Sequence, residues 1–363
     1  MAIKPVKQPD WPASEAVLGR AEEFLRGPAR GPGLVVVSGR SLDALSATAL
    51  LERFLRAQET QVPELLIEDL PWKRSHVGAG VRALAPKAVI CIGVTSTRRA
   101  VPAGIPALVL GPSDLPASRP GLVVLGAEAS RRDLPLSLLT WFLTARVASL
   151  PSLEWLALLG TLEEAGLNAA VPGYQDALKR HGRVPLTETL TTVRAASLAS
   201  TYDPADVVRM LLSASKPLDL ALGRAECVET LRAQRDHVER ELKRACQSEP
   251  LLHRGWVLGA CRSKDQIQTL LAARLAHLHP ERVSVAINTG ADRRVALASV
   301  RCRQEDAGAA LVARLRAEGL VVHPQHRRGW ELSLPQSSVP KLLEAIGLAP
   351  EALDHTALGP GAH

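Results

Sequence analysis

The hydrophobic pattern of this chain changes character along its length, and the changes mark its parts. Between residue 33 and about 125, short apolar strand-like runs recur at Leu34–Val37, Pro63–Ile67, Ala88–Ile92, Ala107–Leu110 and Leu122–Leu125. Runs of this length without polar alternation read as strands buried on both faces. The stretches between them carry helical spacing, and strands alternating with helices predict a mainly parallel sheet. Helical patterns follow from Leu134 to about Leu167 and then on to about Leu222. The segment ECVETLRAQRDHVERELKRAC, Glu226–Cys246, is highly charged with apolar residues at helical spacing, and predicts a long exposed helix joining two domains. From Gly255 a second α/β pattern begins. WVLGA reads as a strand, DQIQTLLAARLAHLH as a helix, VSVAIN and VALASV as a hairpin, DAGAALVARLRAEG as a helix and WELSL as a strand.

The predicted organisation is a leader helix within 1–32, an α/β domain with a helical extension over 33–222, and a linker helix over 223–250. A smaller α/β domain with a mixed sheet follows over 251–348, and a disordered Pro/Gly-rich tail over 349–363. A chain of 363 residues has room for these domains to bury a core each. Aromatic residues make up only 3% of it, so Leu, Val and Ala must fill the cores. The net charge of +7 suits a nucleic-acid or other phosphate-bearing partner, and equally a base composition that favours Arg codons. The amino terminus has no apolar signal core, and no apolar run reaches membrane-spanning length, so no membrane association is expected. Five scattered cysteines with no CxxC pair suggest reduced thiols in a cytoplasm, not a disulfide framework or a zinc site.

The most informative stretch is LVVVSGRSLDALSATALLERF, Leu34–Phe54: a strand, a turn and an Ala/Leu-rich helix. It resembles the first motif of the DHH phosphoesterase superfamily, in which a strand ends in Asp-x-Asp-Gly and runs into a small-residue helix. Here the tripeptide is Ser41-Leu42-Asp43, so the frame is kept and the first carboxylate is gone. The second family motif, an Asp after the next central strand, falls at Gly93. The third, Asp-His-His, falls at Gly111-Pro112-Ser113. The fourth, an Asp in a helical segment, falls in LALLGTLEEAG, where Gly160-Thr161 match and Glu164 stands in for the Asp. Such an enzyme needs several carboxylates and imidazoles to hold two divalent ions ~3.5–4 Å apart. Of the matching positions only Asp43 and Glu164 keep a carboxylate, so the resemblance implies a pseudoenzyme with no metal site and no confident catalytic residue. Mn²⁺ or Mg²⁺ enters only if these two remnants support a reduced hydrolase. Otherwise Asp43 is a cap or turn residue before its helix and Glu164 a solvated helix residue.

The resemblance continues in the carboxyl-terminal region, where relatives of the RecJ and oligoribonuclease type carry a Ser-Leu-Arg strand and a GGHPxAAG loop. The matching strand reads Ser299-Val300-Arg301 and the matching loop VVHPQHRRGW, Val321–Trp330. His323, Pro324 and Gly329 keep register, while two glycines that let backbone approach phosphate have become valines. Arg301, His323, His326, Arg327 and Arg328 are the candidate phosphate-binding residues, Arg being suited to bidentate phosphate contact. Arg40, beside the lost Asp position, would bring positive charge into the old metal site. The pairs Arg98–Arg99 and Arg131–Arg132 follow strands and are either cleft residues or solvated loop charges. Trp330 offers a base-stacking face or, as the favoured reading, a core side chain. The SLDALSATALL pattern also looks like the diverged, inactive DHH relative of the eukaryotic replicative helicase.

The expected function is therefore non-catalytic binding of single-stranded nucleic acid or an oligonucleotide in a cleft between the two domains. A scaffold subunit with a protein partner is the alternative of a different class. A metal-dependent phosphodiesterase or exonuclease with a reduced metal site is the third.

Overall fold

Five apolar runs become five parallel strands in the computed structural model, which describes residues 13–70, 76–116, 118–126, 134–302, 305–317, 322–326 and 329–349. They are β1 (Leu34–Ser38), β2 (Glu64–Ile67), β3 (Ala88–Ile92), β4 (Ala107–Leu110) and β5 (Leu122–Leu125), in the order β2-β1-β3-β4-β5. Every adjacent pair is parallel. Strands β1, β3 and β4 are buried along their whole length, as is usual for parallel strands covered on both faces, while the edge strand β2 is partly exposed. Helix α1 (Glu15–Arg26) precedes β1, and its cap is Ser14, whose hydroxyl accepts from the Val17 amide. Helix α2 (Leu42–Ala57) follows β1, with Ser41 as its N-cap accepting from the Ala44 amide at 3.1 Å. On the opposite face, α3 (Val77–Leu84) and α4 (Thr97–Ala100) share a core with Val35, Val37, Val89, Cys91 and Val109.

Where one long helical stretch is expected over 134–167, two helices form, α5 (Leu136–Val147) and α6 (Glu154–Ala165). Pro151 opens the short 3₁₀ turn between them, because a proline cannot donate the next helical hydrogen bond. Both pack against α2, as does α9 below, which explains why α2 is buried around nearly its whole circumference. Helices α7 (Tyr174–His181), α8 (Arg183–Ala196), α9 (Pro204–Ser213) and α10 (Pro217–Ala221) follow. The buried Glu154 carboxylate ties α6 to α7, accepting from Arg180 at 2.6 Å and pairing with His181 at 3.0 Å. The charged segment forms α11 (Val228–Ala245).

The chain divides into two units. The first comprises Met1–Arg194 with Asp203–Leu231, and the second Ala195–Tyr202 with Arg232–His363. In the second unit a six-stranded sheet has the order β10-β11-β9-β8-β7-β6. Its strands are β6 (Leu251–His253), β7 (Trp256–Cys261), β8 (Val283–Asn288), β9 (Val295–Arg301), β10 (Val322–His326) and β11 (Gly329–Pro335). Only β7 and β8 run parallel, so the sheet is mixed. Helix α12 (Gln268–Leu278) covers one face, while α13 (Glu305–Ala317) and α14 (Val339–Ala345) contribute to the core on the other. The HP-containing segment read as a loop is instead strand β10, paired antiparallel with β11 and bulged between Pro324 and His326. Strand β6 has no counterpart in the sequence reading. Trp330 is buried in the core with Val300 and Leu332. The tail expected from 349 lies, from residue 350 on, outside the described residues. Among the described residues no helix is long and apolar enough to cross a membrane.

Candidate functional site

The carboxyl ends of parallel strands are where an open α/β sheet places ligands. In the first unit this end holds a cavity of about 500 Å³, lined by Asp43, Gly93, Gly111, Pro112, Gly126, Leu136 and Glu164 among others. Of the motif positions that the sequence reading followed through the first unit, Asp43, Gly93, Gly111, Pro112 and Glu164 reach one place. What they build there is decided by three local features.

The first is the fate of Asp43. It sits in the first turn of α2, not before it, and is 1% exposed. Its carboxylate accepts from the backbone amides of Leu136, at 2.6 Å, and Ser137, at 2.9 Å. Those are the first two residues of α5, whose own cap position is Pro135, a residue with no side-chain acceptor. Asp43 therefore caps a different helix from the one it belongs to, satisfying donors that a helix amino terminus leaves open. Gly160 makes this approach possible: a Cβ there would lie 2.3 Å from Asp43 Oδ1 and 2.3 Å from Ser137 Oγ.

The second feature is Glu163, which the sequence reading passed over in favour of its neighbour. Its Oε2 accepts from the Asp43 backbone amide at 2.6 Å. Burial pushes the Glu163 carboxyl up to about 7, against the pull of that amide, with Glu164 and Asp43 adding repulsion. Burial likewise pushes Asp43 up to about 6, against the hydrogen bonds from Ser137 and Leu136. Glu164 is exposed and lines the cavity without joining this network. Only helical phase separates the two glutamates, and no feature of the Glu-Glu pair in sequence shows which one turns inward.

The third feature is Leu136. A Cβ at Gly93 would lie 2.5 Å from its Cδ1, and one at Gly111 would lie 3.2 Å from its Cδ2. Both glycines have left-handed backbone, with φ of +60° and +117°. The leucine methyls thus stand in the space into which side chains at the second and third motif positions would project. The backbone amides here are committed as well: Gly93 donates to Leu110 O at 2.9 Å and Gly111 to Leu125 O at 2.8 Å. A pair of hard divalent ions wants several anionic oxygens free to turn inward. Asp43 spends its oxygens on amides, and among the described residues no cluster of three or more His, Cys, Asp or Glu is placed to hold a metal ion. The residues present do not fit a two-metal centre.

The predicted phosphate-binding residues are dispersed. Arg40 donates to the Glu68 carbonyl at 3.2 Å and is not among the residues lining the cavity. Arg98 donates from its guanidinium to the Asp114 carbonyl at 3.2 Å. Asp114 is itself held at about 2: burial raises it, and hydrogen bonds from Thr97, the Arg98 amide and Ser96 outweigh that. In the second unit Arg301 is 8% exposed and its guanidinium pairs with Glu331 at 3.1 Å. The Glu331 carboxylate also accepts from Ser299 at 2.6 Å, and burial holds its carboxyl above the ordinary range. His323 and His326 lie in β10, where register sets His323 opposite Glu331 and His326 opposite Gly329. Gly329 is in turn opposite Arg301 on β9, so these positions share one end of the sheet. Arg327, Arg328, Arg131 and Arg132 lie outside the described residues.

No protein-family model matches the sequence, and no curated protein matches it. Solved structures do. RecJ of Thermus thermophilus in complex with Mn²⁺ superposes with a TM-score of 0.64 at 16% identity, over 92% of this chain and 54% of that one. The chain thus spans about half the length of that protein. Exonuclease RecJ bound to manganese superposes at 0.62 with 15% identity, over 92% of this chain and 93% of that one. The DHH domain of a member of the s1p family of ribosomal proteins superposes at 0.61 with 11% identity, over 94% and 92%. At these identities it is the fold that is shared, over more than nine tenths of this chain: this chain has the fold of the DHH superfamily.

Proposed function

We propose that this chain binds single-stranded nucleic acid or an oligonucleotide without hydrolysing it. The observation that carries the non-hydrolytic half is the capping of α5 by Asp43, together with the Leu136 methyls packed over Gly93 and Gly111. A carboxylate already committed to two amides is a poorer ligand for a hard cation, and glycines supply no replacement. The nucleic-acid half is supported by the net charge of +7, and by comparison with folds of which one belongs to an exonuclease. In this reading Arg40, Arg301, His323, His326, Arg327 and Arg328 make the phosphate contacts, with Arg301 exchanging its Glu331 partner for phosphate.

The test is anisotropy of a short labelled single strand with the full chain, across a salt series, followed by gel analysis in Mn²⁺. Salt-sensitive binding with an intact strand is the expected result, since neutralising phosphates releases counterions. Absence of binding at low salt rejects the proposal, and Mn²⁺-dependent cleavage lost in Asp43→Ala rejects its non-hydrolytic half.

A scaffold role with a protein partner is the second reading. It is favoured by the Arg301–Glu331 pair, which already neutralises the best-placed arginine, and by the exposed apolar side chains of Val184, Leu218 and Leu222. Co-purification of a partner whose binding is indifferent to Arg301→Ala distinguishes it.

A further inference from the structure

The cavity at the carboxyl ends of the parallel strands has lost the features of a metal site, but it has not closed. At about 500 Å³ it is of the size that small-molecule sites have. Much of its wall is apolar, from Val94, Leu134, Pro135, Leu136 and Leu139. Several backbone donors at this wall are already occupied. The amides of Leu136 and Ser137 serve Asp43, that of Asp43 serves Glu163, those of Gly93 and Gly111 serve the sheet, and that of Thr95 serves Glu68 at 3.0 Å. Charge points the same way: Asp43 and Glu164 are acidic, and none of the described residues lining the cavity is Lys, Arg or His.

We propose that this cavity binds a small organic cation with an apolar body, of the arylalkyl-ammonium class. The apolar part packs against Leu134, Leu136 and Leu139, and the ammonium group sits toward Glu164 and the Asp43 carboxylate. A bare divalent ion is disfavoured because it requires Asp43 to give up its helix-capping bonds, whereas an ammonium needs only the field those oxygens project. A phosphate ester is disfavoured because it would meet two carboxylates and, among the described lining residues, no Lys, Arg or His. The inference concerns the first unit alone and does not rest on nucleic-acid binding, so either can fail while the other stands.

The experiment titrates the full chain with phenethylamine, following leucine methyl resonances and heat. Phenylacetate, inorganic phosphate and Mn²⁺ are titrated in parallel. Saturable phenethylamine binding is expected, with phenylacetate and phosphate at least tenfold weaker. Glu164→Gln, at an exposed position, should weaken the amine roughly fivefold, the size of a solvent-accessible ion pair. Ala165→Trp, also exposed and at the cavity wall, should abolish binding while leaving thermal denaturation unchanged. Failure of phenethylamine to saturate overturns the proposal. So does equal binding of phenylacetate or phosphate, or saturable Mn²⁺ binding that disappears in Glu164→Gln.

Discussion

At the scale of single residues, Asp43 is the side chain on which the site turns. A carboxylate with two amide partners in a buried position is a structural group, and its removal leaves the first amides of α5 unpaired. Asp43→Ala should therefore cost about 3 kcal/mol in urea denaturation, the scale of a lost charged cap with buried donors left over. A metal ligand would show the opposite signature, a change in metal dependence with little loss of stability. Protonation gives a second check. Asp43 and Glu163 stand at about 6 and about 7, above reference values of 3.8 and 4.5. The native state thus holds more protons than the unfolded state between about pH 4 and 7, and stability falls as pH rises through that window. Below the window both states are protonated and the penalty is absent. Glu163→Gln keeps an acceptor for the Asp43 amide but cannot ionise. It should flatten that slope and raise stability at about pH 8 by about 1 kcal/mol or more, read from denaturation at the two ends of the window.

At the scale of elements, three close approaches hold the strand ends and helices in the arrangement described: Gly160 beneath Asp43, and Gly93 and Gly111 beneath Leu136. Gly160→Ala forces a methyl into the Asp43–Ser137 contact and should destabilise by about 2–3 kcal/mol, since overpacking a rigid site has no relief. Gly93→Asp puts a carboxylate where the sequence resemblance aligns a family aspartate. Because its Cβ meets Leu136 and its backbone is left-handed, that variant is expected to lose stability without gaining Mn²⁺ affinity, as calorimetric titration would show. The strands in between were legible because LVVV, AVICI and ALVL are short, rich in β-branched residues or bounded by Gly and Pro, which favours a doubly covered strand over a buried helix. The break between α5 and α6 was available from Pro151 and was missed because helical spacing continues on both sides of it.

At the scale of the whole molecule, the fold and the proposed loss of metal chemistry are tested separately. The chain superposes on RecJ structures solved with manganese, while the cavity of its first unit is lined by Gly93, Gly111, Pro112 and an Asp43 whose carboxylate accepts from two amides. Mn²⁺ at millimolar concentration should leave the thermal midpoint unmoved, because an ion that does not bind the native state cannot stabilise it. If single strands bind, the logarithm of affinity should fall linearly with the logarithm of salt. Arg327→Ala should lower that slope by about one phosphate's share, whereas a protein interface would show no such dependence.

Sequence by itself determined the two α/β patterns and the parallel character of the first sheet. These follow from local periodicity and residue type, which need no knowledge of contacts. Only the tertiary structure decided what the surviving carboxylates do. Asp43 meets α5, which lies 93 residues further along, and receives Glu163 from a helix 120 residues away. The same holds for Arg301, whose partner Glu331 comes from a neighbouring strand 30 residues on. Whether a buried charge is a ligand or a cap depends on which donors reach it, and those donors are brought by chain segments remote in sequence.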